Sequence, residues 1–253
     1  MGIIAYFYIM NSLMIFGTRA ILEAINVQKP IERVWIQKGL QNKLTDQLLH
    51  QLRAENISFS FVPAEGLLKY ADKNHQGAVA RIAAIETHPM ETLIEKILET
   101  QQNPFFVLLD GITDTRNFGA ILRSSAAAGV DAVFISSTGS APLNGDVVKT
   151  SAGGAFSVPI AKVSHLKDVV FYLQANGVPL LGITEKASDT LYTKDLKGPI
   201  AVVFGAEDIG ISNSLLSTLT DTAKLPMTSA IDSLNVSVAC GIVFYEILRQ
   251  RNS

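Results

Sequence analysis

The chain has 253 residues, 48% of them hydrophobic and 17% charged, which describes a folded protein with a substantial core and excludes a disordered one. Its net charge of -2 excludes a bulk basic field, so any nucleic acid must be held by a local patch and specific contacts. The single cysteine, Cys240, excludes an internal disulfide and a multi-cysteine zinc site, and the 4 histidines lack the spacing of a metal pair, so no metal is assigned.

The first 18 residues carry no charge, but they lack a basic n-region and a cleavage site, and Asn11-Ser12 interrupts the apolar run. A membrane span needs about 20 apolar residues. Two alternatives stand: an extension from an upstream start, with Met10 as the internal one, or a first strand packed on the domain. The first is preferred, so residues 1–12 are expected to be a non-native or flexible extension. No membrane partner is expected, and the protein is placed in the cytoplasm.

From residue 13 to 84 the pattern predicts a small α/β domain. Thr18 to Ile25 has helical spacing, Arg33 to Ile36 is strand-like, and Lys43 to Glu55 is a helix. Ile57 to Val62 alternates at period two, Leu67 to Tyr70 is a short helix, and Ala78 to Ile82 is a strand. Residues 85–104 are expected to be a linker containing the amphipathic helix Met90 to Glu99, ended by Gln-Gln-Asn-Pro.

Residues 105–253 change character. Four continuous apolar runs, at 106–109, 132–135, 178–181 and 201–204, fit parallel strands buried on both faces. Helical segments at 118–128, 166–176 and 212–220 alternate with them, so the fold class is α/β with a parallel sheet. No G-x-G-x-x-G follows a strand, and there is no P-loop or G-x-S-x-G, which counts against a Rossmann oxidoreductase, an NTPase and a hydrolase.

Ligands in such sheets bind beyond the carboxyl ends of the strands, where three polar clusters lie. The first runs from Asp110 to Arg123 and holds Asn117 near a helix start. The second is Phe204 to Ile211, with Gly205 and Gly210 around Glu207-Asp208. The third is Lys224-Leu225-Pro226-Met227 leading into Ser233-Leu234-Asn235. Each has a bland alternative: Asn117 or Ser233 as helix caps, Arg123 as a surface charge, the glycines as turn residues.

N-F-G-A-I-L-R at 117–123, F-G-A-E-x-x-G-I at 204–211 and L-P-M…S-L-N-V-S at 225–237 resemble the three ordered motifs of the SpoU/TrmH branch of the SPOUT RNA 2′-O-ribose methyltransferases. G-T-R-A-I-L-E-A-I at 17–25 and H-Q-G-A-V-A at 75–80 resemble the family's upstream substrate-binding domain, a ribosomal-protein-like RNA-binding fold. The resemblance implies a C-terminal trefoil knot that binds S-adenosylmethionine, with Gly205, Leu225, Leu234, Ile211 and Met227 as the cofactor-binding positions. It implies Arg123, Asn117, Glu207, Ser233 and Asn235 as the catalytic set, and a homodimer through the C-terminal helix. The implied activity is methylation of a guanosine 2′-hydroxyl in structured ribosomal RNA. Transfer RNA is the same-class alternative, and a non-catalytic RNA-binding or ribosome assembly factor the alternative of another class. Arginine is a very weak acid and a poor general base, so Arg123 is expected to stabilise charge, with Glu207 orienting it. Asp208 departs from the glycine common in the family and questions that loop's backbone angle.

Overall fold

The computed structural model describes residues 12–228 and 233–253. The expectation for residues 1–11 falls outside them, as does the Ile231-Asp232 approach to the third cluster. In chain order the elements are β1 (Ser12–Phe16), α1 (Thr18–Asn26), β2 (Ile31–Gln37), α2 (Lys43–Ala54), β3 (Phe59–Val62), a 3-10 turn (Ala64–Tyr70) and β4 (Ala78–Ala83). Then come α3 (Met90–Thr100), β5 (Phe105–Asp110), α4 (Thr115–Ala128), β6 (Ala132–Ser136), α5 (Gly145–Ser151), α6 (Gly154–Ser157), β7 (Ile160–Val163) and α7 (Leu166–Ala175). The remainder is β8 (Leu180–Ile183), a 3-10 turn (Leu191–Thr193), β9 (Ile200–Gly205), α8 (Asn213–Leu216), β10 (Asp221–Ala223) and α9 (Val236–Arg251). They form two compact units, one reaching to Ile85 and including Leu143–Ser157, the other Glu86–Pro142 with Val158–Ser253.

The first unit holds a sheet ordered β1-β4-β2-β3. β2 and β3 run parallel, and the other pairs are antiparallel. Alternation along β2 sends Val34 and Ile36 into a core with Ile21, Leu48, Leu52 and Ile82, beneath the amphipathic helices α1 and α2. Asn42 caps α2 by accepting from the Thr45 amide. Leu67 closes the other face against Phe16 and Val79. Ser12, placed in the extension by sequence, is the first residue of β1.

Leu143–Ser157, read from sequence as part of the 105–253 domain, packs with this first unit. Val148 is fully buried in its core, and Lys73 Nζ lies 2.8 Å from Asp146. A Cβ on Gly145 would stand 2.1 Å from the Met14 carbonyl oxygen, so only glycine lets α5 approach β1 so closely.

The second unit is built on six parallel strands in the order β10-β8-β9-β5-β6-β7. β5 and β9 are adjacent and in register from Phe105↔Ile200 to Asp110↔Gly205, so their loops emerge side by side. α3, expected to be a linker helix, buries Leu93, Ile94 and Ile97 in this unit's core. The helix expected over 212–220 is only α8, because Ser217 and Thr218 turn their hydroxyls back to the Ser214 and Leu215 carbonyls. Phe244 of α9 meets Phe105 and Phe204 edge-on, at ring separations of 5.5 and 5.8 Å, fastening the last helix to the two strands. No helix among the described residues is long and apolar enough to cross a membrane.

The last turns of α9 contain an ionic device built on a buried carboxylate. Glu246, 8% exposed, takes two bonds from Arg249 and one from Gln250, whose amide also binds Lys194 and Leu196. The Arg249 bonds first, then Gln250, bring its pKa down to about 2. A depressed carboxylate contributes stability above its unfolded pKa of about 4.3 and loses it as pH falls toward the folded value. The thermal midpoint of the wild type should therefore fall between about pH 4.3 and pH 2, and Glu246→Gln should flatten that slope, as acid melting curves of the two proteins will show.

Candidate active site

The carboxyl ends of β8, β9 and β10 open onto a cavity of about 370 Å³, within the size range of small-ligand sites. Its walls are Ile183 to Lys186 after β8, Phe204 to Gly210 after β9, Leu225 and Met227 after β10, and Ser233, Leu234, Val236 and Ala239 where α9 begins. Gly205 makes the β9 wall possible. A Cβ there would lie 1.9 Å from the Gly210 carbonyl carbon and 2.0 Å from the Ile211 nitrogen. With that space free, the loop closes by a Gly210 N–H to Ala206 carbonyl bond, Gly210 taking a φ of 73°. Asp110, beside Gly205 on β5, accepts from the Ser212 amide at 2.8 Å and holds the far end of the loop. Asp208 has no positive φ, so the loop accommodates it without left-handed strain.

Asn235 organises the entrance of α9. Its Oδ1 accepts from the Ser237 and Val238 amides and from the Ser237 hydroxyl, which makes it the helix N-cap. Its Nδ2 donates to Asn117 Oδ1 at 3.0 Å and to Glu207 Oε1 at 2.5 Å. The amide orientation follows from the partners, since only the nitrogen can donate to a carboxylate and only the oxygen can accept from backbone N–H groups. Glu207 Oε1 also lies 3.4 Å from the Val236 amide, where the positive end of α9 favours a carboxylate. One side chain thus ties together α4, the loop after β9 and the start of α9.

The sequence candidates divide accordingly. Asn117, Glu207 and Asn235 are joined, and Glu207, Ser233, Gly205, Leu225, Met227 and Leu234 line the cavity. Ile211 does not. Its side chain sits in the core beside Gly182, where a Cβ would come within 3.3 Å of Ile211 Cδ1. Arg123 is exposed on α4 and has no hydrogen-bond or ion-pair partner among the described residues, so Glu207 orients Asn235 and the helix start, not Arg123. Neither bland cap holds: Asp114 caps α4 through the Arg116 and Asn117 amides, and Asn235, not Ser233, caps α9. Cys240 is fully buried and burial pushes its thiol pKa well up, which removes it as a nucleophile. Sequence reasoning missed Thr184, Glu185 and Lys186. Their position directly after an apolar run was the available signal, since that is where strand ends present loops.

The cavity and the Asn117–Asn235–Glu207 junction lie at strand ends of a parallel sheet, where α/β folds bind their ligands, in a chain with a separate small domain. Residues 104–245 match the SpoU rRNA methylase family, and residues 14–88 match the RNA 2′-O ribose methyltransferase substrate-binding domain. The chain belongs to the SpoU rRNA methylase family. It is 35% identical over 245 residues to the 23S rRNA (guanosine-2′-O-)-methyltransferase RlmB of Vibrio cholerae, covering 96% of this chain and 98% of that one. The RlmB of Haemophilus influenzae is 36% identical, over 94% of this chain and 97% of its own. The crystal structure of the SpoU methyltransferase AviRb from Streptomyces viridochromogenes, in complex with AdoMet, has the same fold. Its TM-score is 0.81 at 22% identity, over 96% of this chain and 91% of that one.

Proposed function

We propose that this protein is an S-adenosylmethionine-dependent enzyme that methylates the ribose 2′-hydroxyl of a guanosine in large-subunit ribosomal RNA. The observation that carries the proposal is the match to enzymes named for that reaction, at 35% identity across both units of the chain. The cavity supports it, because Gly205 leaves room for a ligand-binding loop and the walls offer backbone from three strand ends. Gly205, Leu225, Met227 and Leu234 would hold S-adenosylmethionine, which when bound supplies an electrophilic methyl group.

The chain's own task is to receive a ribose hydroxyl and stabilise its oxygen as the O–H bond breaks and the proton passes to solvent water. Glu207 and Ser233 stand in the cavity wall for hydrogen bonding to the sugar, and Asn235 fixes Glu207. Arg123 acts by electrostatic stabilisation of the oxygen or of a neighbouring phosphate. The unit carries its family's trefoil knot. In support, Lys224 after β10 exchanges backbone hydrogen bonds with Asp189 and Leu191, while the chain beyond it returns to pack α9 on β9 and α4. The enzyme is a homodimer through α9, which leaves Val238 and Tyr245 half exposed. Its substrate places it in the cytoplasm.

Methyl-labelled S-adenosylmethionine incubated with the protein and either ribosomal or transfer RNA tests this. Label should enter large-subunit ribosomal RNA at a guanosine ribose. Label in transfer RNA alone would overturn the substrate, and no transfer to any RNA would leave a binding or assembly factor.

A further inference from the structure

On the sheet face of the first unit opposite Val34 and Ile36, Arg33 of β2 and Arg81 of β4 are direct register partners. Directly opposed residues of antiparallel strands project to one face, and like charges so placed destabilise a sheet. The local compensation is incomplete. Glu32 pairs with Arg81 at 3.1 Å, while among the described residues Arg33 has a single 3.3 Å bond, to the Ser60 hydroxyl. Beside the pair lies Trp35, the sole tryptophan of the chain, half-buried against the Phe16, Leu67 and Val79 cluster. The Arg81 guanidinium stands 5.6 Å from the centre of its ring.

The Glu32 pair and the Trp35 ring compensate Arg81, but no carboxylate pairs with Arg33 among the described residues. A ligand that brings phosphates and flat rings suits these side chains: guanidinium groups bind phosphate in a fork geometry, and both indole and guanidinium planes stack on bases. We propose that Arg33, Arg81 and Trp35 form a contact site for unpaired RNA, the arginines holding the backbone and Trp35 a splayed base. This rests on the reading of the protein as an RNA methyltransferase, and names which side chains of the substrate-binding domain would touch the RNA. Paired RNA, whose bases are stacked away inside the helix, cannot use the indole, so the site selects a loop or bulge.

Trp35 is its own reporter. Its fluorescence is titrated at low salt with a short single-stranded RNA and with a blunt duplex of the same sequence. The single strand should quench it and bind more tightly than the duplex. Arg33→Ala and Arg81→Ala should each weaken binding about ten-fold and flatten the salt dependence by about one unit of slope. Trp35→Ala, followed through a labelled RNA, should weaken it roughly five- to a hundred-fold, with Trp35→Phe restoring most of the loss. Arg33→Ala should melt no lower than wild type, because it removes a like-charge pair, whereas a merely structural arginine would lower the midpoint. Calorimetric binding of S-adenosylmethionine should be unchanged. Unaltered RNA affinity in all three alanine variants, or equal quenching by the duplex, overturns the site. Methyl transfer by the wild type, run in parallel on ribosomal RNA, separates that result from failure of the enzymatic reading.

Discussion

Gly205→Ala should leave the protein folded and raise the dissociation constant for S-adenosylmethionine by about 100-fold or more, a loss of roughly 3 kcal/mol. The added methyl meets no flexible side chain that could swing away. It meets the carbonyl carbon and oxygen of Gly210 and the nitrogen of Ile211, all within 2.1 Å. The loop must therefore separate from the end of β9, breaking the Gly210 to Ala206 hydrogen bond that shapes the cavity wall. Gly210→Ala makes a contrasting pair. Nothing lies within 4 Å of its would-be Cβ, and only the φ of 73° opposes it. That costs about 1–2 kcal/mol, so affinity should fall by roughly 5- to 30-fold. Calorimetry on both variants, with circular dichroism as the folding control, reads the ranking. A Gly205→Ala protein that binds the cofactor as well as Gly210→Ala would sink the assignment of Gly205 as the residue that makes room for the loop.

The sheet of the second unit was legible because strands buried on both faces must be apolar throughout, and Phe106 to Leu109 or Ala201 to Phe204 can be little else. β7 and β10 escaped for the converse reason. β10 reads Asp-Thr-Ala, and only its parallel pairing with β8 makes it a strand. The same limit applies to Leu143–Ser157, whose helices are short and whose partner is β1, far away in sequence. At the site, the motifs pointed to Asn117, Glu207 and Asn235, but spacing carries no information on which side chain holds which. Asn235 was expected as a member of the catalytic set. In the structure every polar atom of its amide is engaged by Asn117, Glu207 and the first turn of α9. Its amide therefore holds its neighbours in place, while Ser233 and Glu207 line the cavity. Arg123 shows the limit again, since a motif can name a cation without supplying its partner.

That junction makes the second large prediction, and it turns on one atom. Asn235→Asp keeps Oδ1 and so keeps a good cap on α9, but exchanges the donor Nδ2 for an oxygen facing Glu207 Oε1. Asn117 can rotate its amide and donate; Glu207 has no such remedy. Two carboxylates this close do not both ionise readily, so one takes a pKa above its unfolded value. A carboxylate raised in the folded state binds more protons there than in the unfolded chain, so stability rises as pH falls through the raised pKa. Both residues are exposed, and solvent screening keeps the effect modest. Asn235→Asp should therefore be about 1–2 kcal/mol less stable than wild type at pH 8 and recover most of that by pH 5, where a carboxyl O–H restores the donation. Asn235→Ala removes the cap and both donations, costs about 1–2 kcal/mol, and should show no such recovery. In methyl transfer the aspartate variant should lose about 100-fold at pH 8, the cost of a misplaced Glu207, and regain part of it toward acid relative to wild type at the same pH. Melting curves and initial rates across that range decide the matter: a flat difference between Asn235→Asp and wild type would mean that Glu207 is not held through the Asn235 amide at all.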